Sequence, residues 1–176
     1  VEALDPSVLA LCRAADPHLS ADDAAELSRA VAADGAAWAS DYGANRDVTG
    51  MVCERNVLRY RSTPVLVRAG SGTALADTVR VLAAGVLAGG PIGLSVADEL
   101  PATIRELLEG WDIEVTVEYA QSWDSRLAMV ANSGGLGMRV RVLGPRDESS
   151  QQRWADATRA SGGSPDVALY TGAVTA

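Results

Sequence analysis

The chain has 176 residues, 48% hydrophobic and 22% charged, the balance of one folded domain and far from that of a disordered segment. Its formal net charge of −8 is at odds with the clustered positive face that nucleic-acid binding requires. All 15 basic residues are arginine, which excludes Schiff-base chemistry, a phosphate-loop lysine and a lysine general base.

Asp5-Pro6 predicts a helix with an acidic N-cap and proline at its first position, closed by Asp16-Pro17. Ser20 with Asp23 three residues on predicts a second helix, whose apolar stripe runs through Leu27, Val31 and Trp38 and ends before Gly43. From Glu54 the period changes. ERNVLRYR alternates, with Arg55, Val57, Arg59 and Arg61 on one face and Asn56, Leu58 and Tyr60 on the other, which reads as a strand. In so acidic a chain its arginines are expected to pair with carboxylates rather than form an anion site.

Beyond Pro64 strands and helices alternate. Val65 to Ala69 predicts a strand, Thr73 to Ala88 a helix closed by Gly89-Gly90, and Pro91 to Val96 a second strand. Asp98 is expected to cap a helix through Ile104 and Leu108 that stops at Gly110, before a third strand over Ile113 to Tyr119. A helix from Ser122, a strand over Met138 to Leu143, a helix around Trp154 capped by Asp147 and a strand over Asp166 to Thr171 complete the series. Such alternation predicts an α/β fold with a doubly wound, mostly parallel, Rossmann-like sheet, preceded by a small helical segment. The domain reading is 1–50 for that segment and 51–176 for the sheet domain.

In this fold ligands bind beyond the carboxyl ends of the strands, and no complete constellation appears there. Gly70 and Gly72 begin a GxGxxG pattern, but Leu75 stands where the third glycine belongs, so a tight strand-to-helix turn is expected. Ser133-Gly134-Gly135-Leu136-Gly137 leaves a helix and enters a strand, which denies its amides a helix N-terminus. Ser71, Ser95 and Ser122 sit in no nucleophile elbow, and His18, the only histidine, serves no triad. Cys12 and Cys53 have neither zinc nor redox spacing and are expected to be free thiols in a reducing compartment. Asp22-Asp23 and Asp147-Glu148 are read as carboxylates in first helical turns, and Trp38, Trp111, Trp123 and Trp154 as helix-sheet filling. No catalytic, metal or cofactor-binding residue is assigned. No apolar run approaches the ~20 residues that span a bilayer and no leader is recognised, so a cytoplasmic protein is expected.

DVTGMVCERNVLRYR, followed by a strand and an alanine-rich helix, resembles the approach to the NAD domain in proline utilization A enzymes, in particular the C-terminal part of actinobacterial bifunctional members. LAGGPIGLSVADELP is similar to the family's AAGNTVVLKPSEQTP, and PDVALYTGAVTA to its DKIAFTGSTEVG, so the likeness covers roughly residues 45 to 105 and the last dozen. It implies a degenerate domain of the aldehyde-dehydrogenase superfamily. The family lysine that holds the adenosine ribose falls at Ser95, Val96 and Ala97 replace the following Pro and Ser, and only Asp98 keeps its chemical type. Gly172 is retained, whereas Ala173 replaces the serine that begins the pyrophosphate-binding helix. Ser95, Asp98, Gly172 and Ala173 are therefore vestigial positions. The family's PWNFP turn is replaced around Gly70 to Thr73, and Cys53 is not its catalytic cysteine.

The resemblance implies a non-catalytic module of an enzyme joining proline dehydrogenase to pyrroline-5-carboxylate dehydrogenase. NAD and FAD would belong to the parent, and the partners would be its other modules. A working NAD-binding half of a dehydrogenase is the alternative, and an independent interaction module is a third. A homo-oligomer is left open, while nucleic acid and a membrane span are not expected.

Overall fold

The computed structural model describes residues 4–47, 49–54, 56–133 and 138–174. Helix α1 (Pro6–Ala15) begins as predicted, with the Asp5 carboxylate accepting from the amides of Ser7 at 2.8 Å and Val8 at 3.3 Å. A 3-10 turn over Asp16–His18 ends it. In α2 (Ala21–Ala37) Ser20 Oγ accepts from the Asp23 amide at 3.1 Å and donates to the Asp23 carboxylate at 2.7 Å, so two polar groups at the helix start satisfy each other. The helix closes in a π turn over Trp38–Tyr42.

ERNVLRYR departs from its expected strand. Only Val57–Leu58 (β2) is extended and paired, antiparallel to Arg46–Asp47 (β1), and all four residues are exposed. A two-residue ribbon with no covered face cannot sustain more ladder. Arg59 and Arg61 are exposed and, among the described residues, no carboxylate lies within 4 Å of either, so their expected pairing is corrected. Arg55 lies outside the described residues.

The main sheet is the predicted α/β architecture. Strands β3 (Val65–Ala69), β4 (Ile92–Val96), β5 (Glu114–Val117), β6 (Met138–Leu143) and β7 (Val167–Tyr170) are all parallel, in the order β5-β4-β3-β6-β7. The chain winds outward from β3 in one direction and then returns to its other side at β6, which makes the sheet doubly wound. Helices α3 (Leu75–Ala88), α4 (Ala102–Gly110), α5 (Ala120–Asn132) and α6 (Ser150–Ala160) form the crossovers. One apolar cluster joins Val67, Ala69, Leu94 and Val96 to Val79 and Leu82 of α3 and Ile104 and Leu108 of α4, and it also takes in Val8, Leu11, Leu27 and Val31 of α1 and α2. A second joins Leu66, Val140 and Val142 to Trp123 and Leu127 of α5 and Ala157 of α6. Alternate strand residues feed the two clusters, as the two-residue period of a strand requires.

Several boundaries differ from the sequence reading for local reasons. Asp98 does not cap α4, because Pro101 forces the preceding residue out of helical geometry and the helix begins at Ala102. Asp147 does not cap α6. The turn closed by the Glu148 amide on the Pro145 carbonyl at 3.1 Å leaves Asp147 and Glu148 outside the helix, and Ser149 caps it. Helix α5 starts at Ala120 rather than Ser122, with no side-chain cap. Of the tryptophans Trp123 is buried, whereas Trp154 is 52% exposed on the outside of α6 and fills no helix-sheet gap. The glycine-rich stretch from Gly134 to Gly137 lies outside the described residues.

Cys12 and Cys53 are unpaired. Burial on α1 pushes the Cys12 thiol above its ordinary value, since an apolar surround disfavours the thiolate, whereas Cys53 is exposed. At neutral pH iodoacetamide should therefore modify Cys53 well before Cys12, as mass spectrometry of a time course would read. A Cys12 raised in the fold adds stability at pH values below its unfolded titration, and that contribution fades as pH rises through the folded value. Equal rates at the two thiols would contradict the burial.

Candidate functional site

The switch in winding direction lies between β3 and β6, whose carboxyl ends lead into Gly70-Ser71-Gly72-Thr73 and Gly144-Pro145-Arg146. In an open α/β sheet this is where a ligand crevice forms. Here the two turns are drawn together. The Gly70 amide donates to the Leu143 carbonyl at 3.0 Å, which extends the ladder past the last paired residues. Gly72 has φ +73°, and a Cβ there would come within 3.3 Å of Pro145 Cγ, so glycine is required both by conformation and by the closeness of the second turn.

The anion seat of the first turn is filled from within the chain. The Gly72 amide donates to Asp98 Oδ2 at 3.1 Å, and Ser71 Oγ donates to the same carboxylate at 3.3 Å. Asp98 stands just past the end of β4, so it reaches across to the βα turn instead of serving its own helix. The Thr73 amide and hydroxyl both donate to the Gly70 carbonyl, at 3.2 and 2.6 Å. In the first turn of α3 the buried Asp77 places a second negative charge at the helix N-terminus.

Arg146 ties this end of α3 to α2. It donates to Asp77 through Nε at 3.2 Å and Nη2 at 2.9 Å, and its Nη1 lies 3.1 Å from Asp23 and its Nη2 3.7 Å from Glu26 on α2. The hydrogen bonds that Arg146 donates to Asp77, together with the charge of that carboxylate, push the Arg146 pKa above the usual arginine range. Arg153, 9% exposed, donates to the carbonyls of Pro145, Glu148 and Thr171 and to the Glu148 carboxylate at 3.1 Å. That carboxylate lies against Gly144 where a Cβ would stand.

On the α5 and α6 side a cleft of about 440 Å³ opens at the carboxyl end of the sheet. Two arginines, Arg68 and Arg153, face four carboxylates there, Asp98, Asp124, Glu148 and Asp156. Arg68 is 4% exposed inside a strand. Its Nη1 donates to Ser95 Oγ at 2.7 Å and to the Glu118 carbonyl at 3.0 Å, and its guanidinium lies 5.6 Å from the ring centre of Trp123. The Glu118 carboxylate, itself buried, is 3.1 Å from Arg126 Nε, an ion pair without an aligned hydrogen bond.

The vestigial positions do not come together as one site. Ser95 is fully buried in β4 and spends its hydroxyl on Arg68. Asp98 is tied to Gly72. Gly172 and Ala173 are exposed after β7 and line an adjoining cleft of about 310 Å³ with Glu26, Asp77 and Glu148, and the Gly172 carbonyl accepts from Arg141 at 2.7 Å. The residues present do not fit a dinucleotide in the manner the resemblance assigns. The ribose position cannot reach the surface, and a phosphate at the Gly72 amide would have to displace Asp98 and then sit beside more carboxylates than arginines.

His18 meets Thr103 at 3.4 Å and no thiol. Among the described residues no group of three or more His, Cys, Asp or Glu is placed to hold a metal, and no helix is long and apolar enough to cross a membrane. Sequence reasoning missed Arg68 and Arg146. A lone arginine inside the apolar run VLVRA was the available signal for the first, because arginine is almost never fully buried without a partner. Nothing local marks Arg146, whose partners lie 69 and more residues away. No family model, curated protein or solved structure matches the chain.

Proposed function

We propose that the chain is a non-catalytic structural module of a bifunctional proline-catabolic oxidoreductase, which converts proline to glutamate through pyrroline-5-carboxylate, and that it covers or organises the catalytic modules. The observation that carries this reading is the Asp98 carboxylate seated on the Gly72 amide. It supports a dinucleotide scaffold whose own side chain has taken the place of the ligand. The buried Ser95 at the ribose position supports it further. NAD and FAD chemistry is then left to the other modules of the parent.

The test removes this domain from the parent enzyme and follows NADH, first from proline and then from added pyrroline-5-carboxylate. Truncation is expected to introduce a lag in the first assay, because the intermediate must build up in bulk solvent, and to leave the second rate nearly unchanged. A folded truncated parent without a lag removes the covering role. A collapse of both rates assigns the domain to holding the catalytic modules together.

A working NAD-binding half is the second reading, and one feature favours it. Asp98 follows the second strand of the winding and faces the glycine turn, where a dinucleotide fold keeps an acidic residue for the ribose. Under the leading reading NAD should bind the isolated chain at least about tenfold more weakly than a working site, since a charged donor and a hydroxyl are both missing at about 1 to 3 kcal/mol each. Titration calorimetry with a dissociation constant in the low micromolar range would replace the leading reading with this one.

A further inference from the structure

The cleft at the carboxyl ends of β3, β4 and β6, flanked by the start of α5 and by α6, contains a buried cation whose hydrogen-bonding capacity is not used up. Arg68 is 4% exposed, yet Nη1 alone makes both of its bonds, to Ser95 Oγ and the Glu118 carbonyl. Among the described residues Nε and Nη2 have no acceptor, although the guanidinium borders a cleft of about 440 Å³. Neither nitrogen is among the enclosed unpaired atoms, so both open to the cleft, where a ligand oxygen can meet them in place of water. Burial holds the Arg68 pKa below its ordinary value, and Glu118, Asp124 and Asp98 oppose that shift. The two aspartates that face the cleft from its rim therefore act on the same charge.

Asp98 and Asp124 have no basic side chain within 4 Å among the described residues. Asp98 is committed to the glycine turn, which leaves Asp124 as the free acceptor. Tyr119, 84% exposed, offers an aromatic edge beside them, and Trp123 carries the guanidinium on its ring. A polyanion is repelled by this rim, and a simple cation at Asp124 leaves the Arg68 donors unmet. A ligand bearing one negative and one positive group matches both.

We propose that the Arg68, Asp124 and Tyr119 cleft binds a small zwitterion of the α-amino-acid class, its carboxylate on the idle Arg68 donors, its ammonium at Asp124 and its apolar side chain against Tyr119. The proposal is one of binding, and no reaction is assigned to the site. It is independent of the module's role in a parent enzyme.

The experiment follows the indole N–H resonance of Trp123 by nuclear magnetic resonance while the full chain is titrated with L-valine. Acetate and propylamine, each carrying one half of the charge pattern, are titrated in parallel. L-Valine is expected to give a saturable shift, with acetate and propylamine each about tenfold weaker or more, since each forgoes one charge-assisted contact. Asp124→Asn should weaken L-valine about fivefold or more, and Arg68→Met should abolish the shift. If circular dichroism shows Arg68→Met unfolded, Asp124→Asn decides the matter alone. The proposal is overturned if L-valine gives no saturable shift, if acetate binds as tightly as L-valine, or if Asp124→Asn binds like the parent sequence.

Discussion

Replacing Arg68 with alanine is expected to remove about 3 to 5 kcal/mol of stability, as much as truncating a large apolar residue of the core. The guanidinium and its stem fill the space between β3 and Trp123, so the truncation leaves a cavity under α5. It also strips the donor from Ser95 Oγ, which is fully buried, and from the Glu118 carbonyl. Each polar group left buried without a partner costs about 1 to 3 kcal/mol. Arg68→Met separates these contributions. Methionine refills most of the volume and removes a poorly compensated buried charge, which by itself is neutral or favourable, yet it restores neither hydrogen bond. Its loss should fall between zero and that of alanine. Urea unfolding at neutral pH measures both variants, and for a domain of this size the alanine variant should melt about 10 °C lower. A loss below about 1 kcal/mol would mean that Arg68 is hydrated and not part of the core.

Arg68 also marks the border of what the sequence discloses. The alternation of strands and helices, the two-sided sheet and the N-terminal helices were legible because periodicity and capping are local properties. Ser20 and Asp23 cap each other as their spacing predicts, since both partners lie within one turn. The failures occur where distant residues decide. Asp98 is an acceptable helix cap by spacing, but the Gly72 amide, 26 residues earlier, competes for it, and Pro101 delays the helix. Asp147 loses its capping role to Ser149 because a turn at Pro145 shifts the start by two residues. ERNVLRYR has the alternation of a strand and lacks a neighbouring sheet to pair with, so the pattern yields only two extended residues. The candidate site was legible as missing pieces, through Leu75 and Ser95, whereas the carboxylate that fills it was not. Filling a seat is a tertiary event, and spacing along the chain carries no record of it.

Arg146 ties the turn after β6 to α3 and α2 beside that seat, and Arg146→Ala is expected to cost about 2 to 4 kcal/mol, somewhat less than the loss of a fully buried partner because Arg146 itself is 48% exposed. Removing it leaves Asp77, which is 7% exposed, without its bidentate partner, and leaves Asp23 and Glu26 facing it with like charge. The α3 N-terminus offsets part of this, since a negative charge in a first turn is favourable by about 0.3 to 1 kcal/mol. Arg146→Lys should recover only a fraction, because an ammonium cannot reproduce the two parallel bonds to one carboxylate while also reaching α2. Asp77→Asn in the Arg146→Ala background should restore part of the stability, as the unpaired buried charge is then gone. Added salt separates the contacts further, since it screens the half-exposed Asp23 and Glu26 but has little effect on the buried Asp77 pair. These three variants and the parent chain, melted at two ionic strengths, give the answer. If Asp77→Asn worsens the alanine variant, or if high salt alone abolishes the deficit, then Arg146 acts through general surface charge, and the β6 to α6 turn is held over the glycine turn by Pro145 and Arg153 without it.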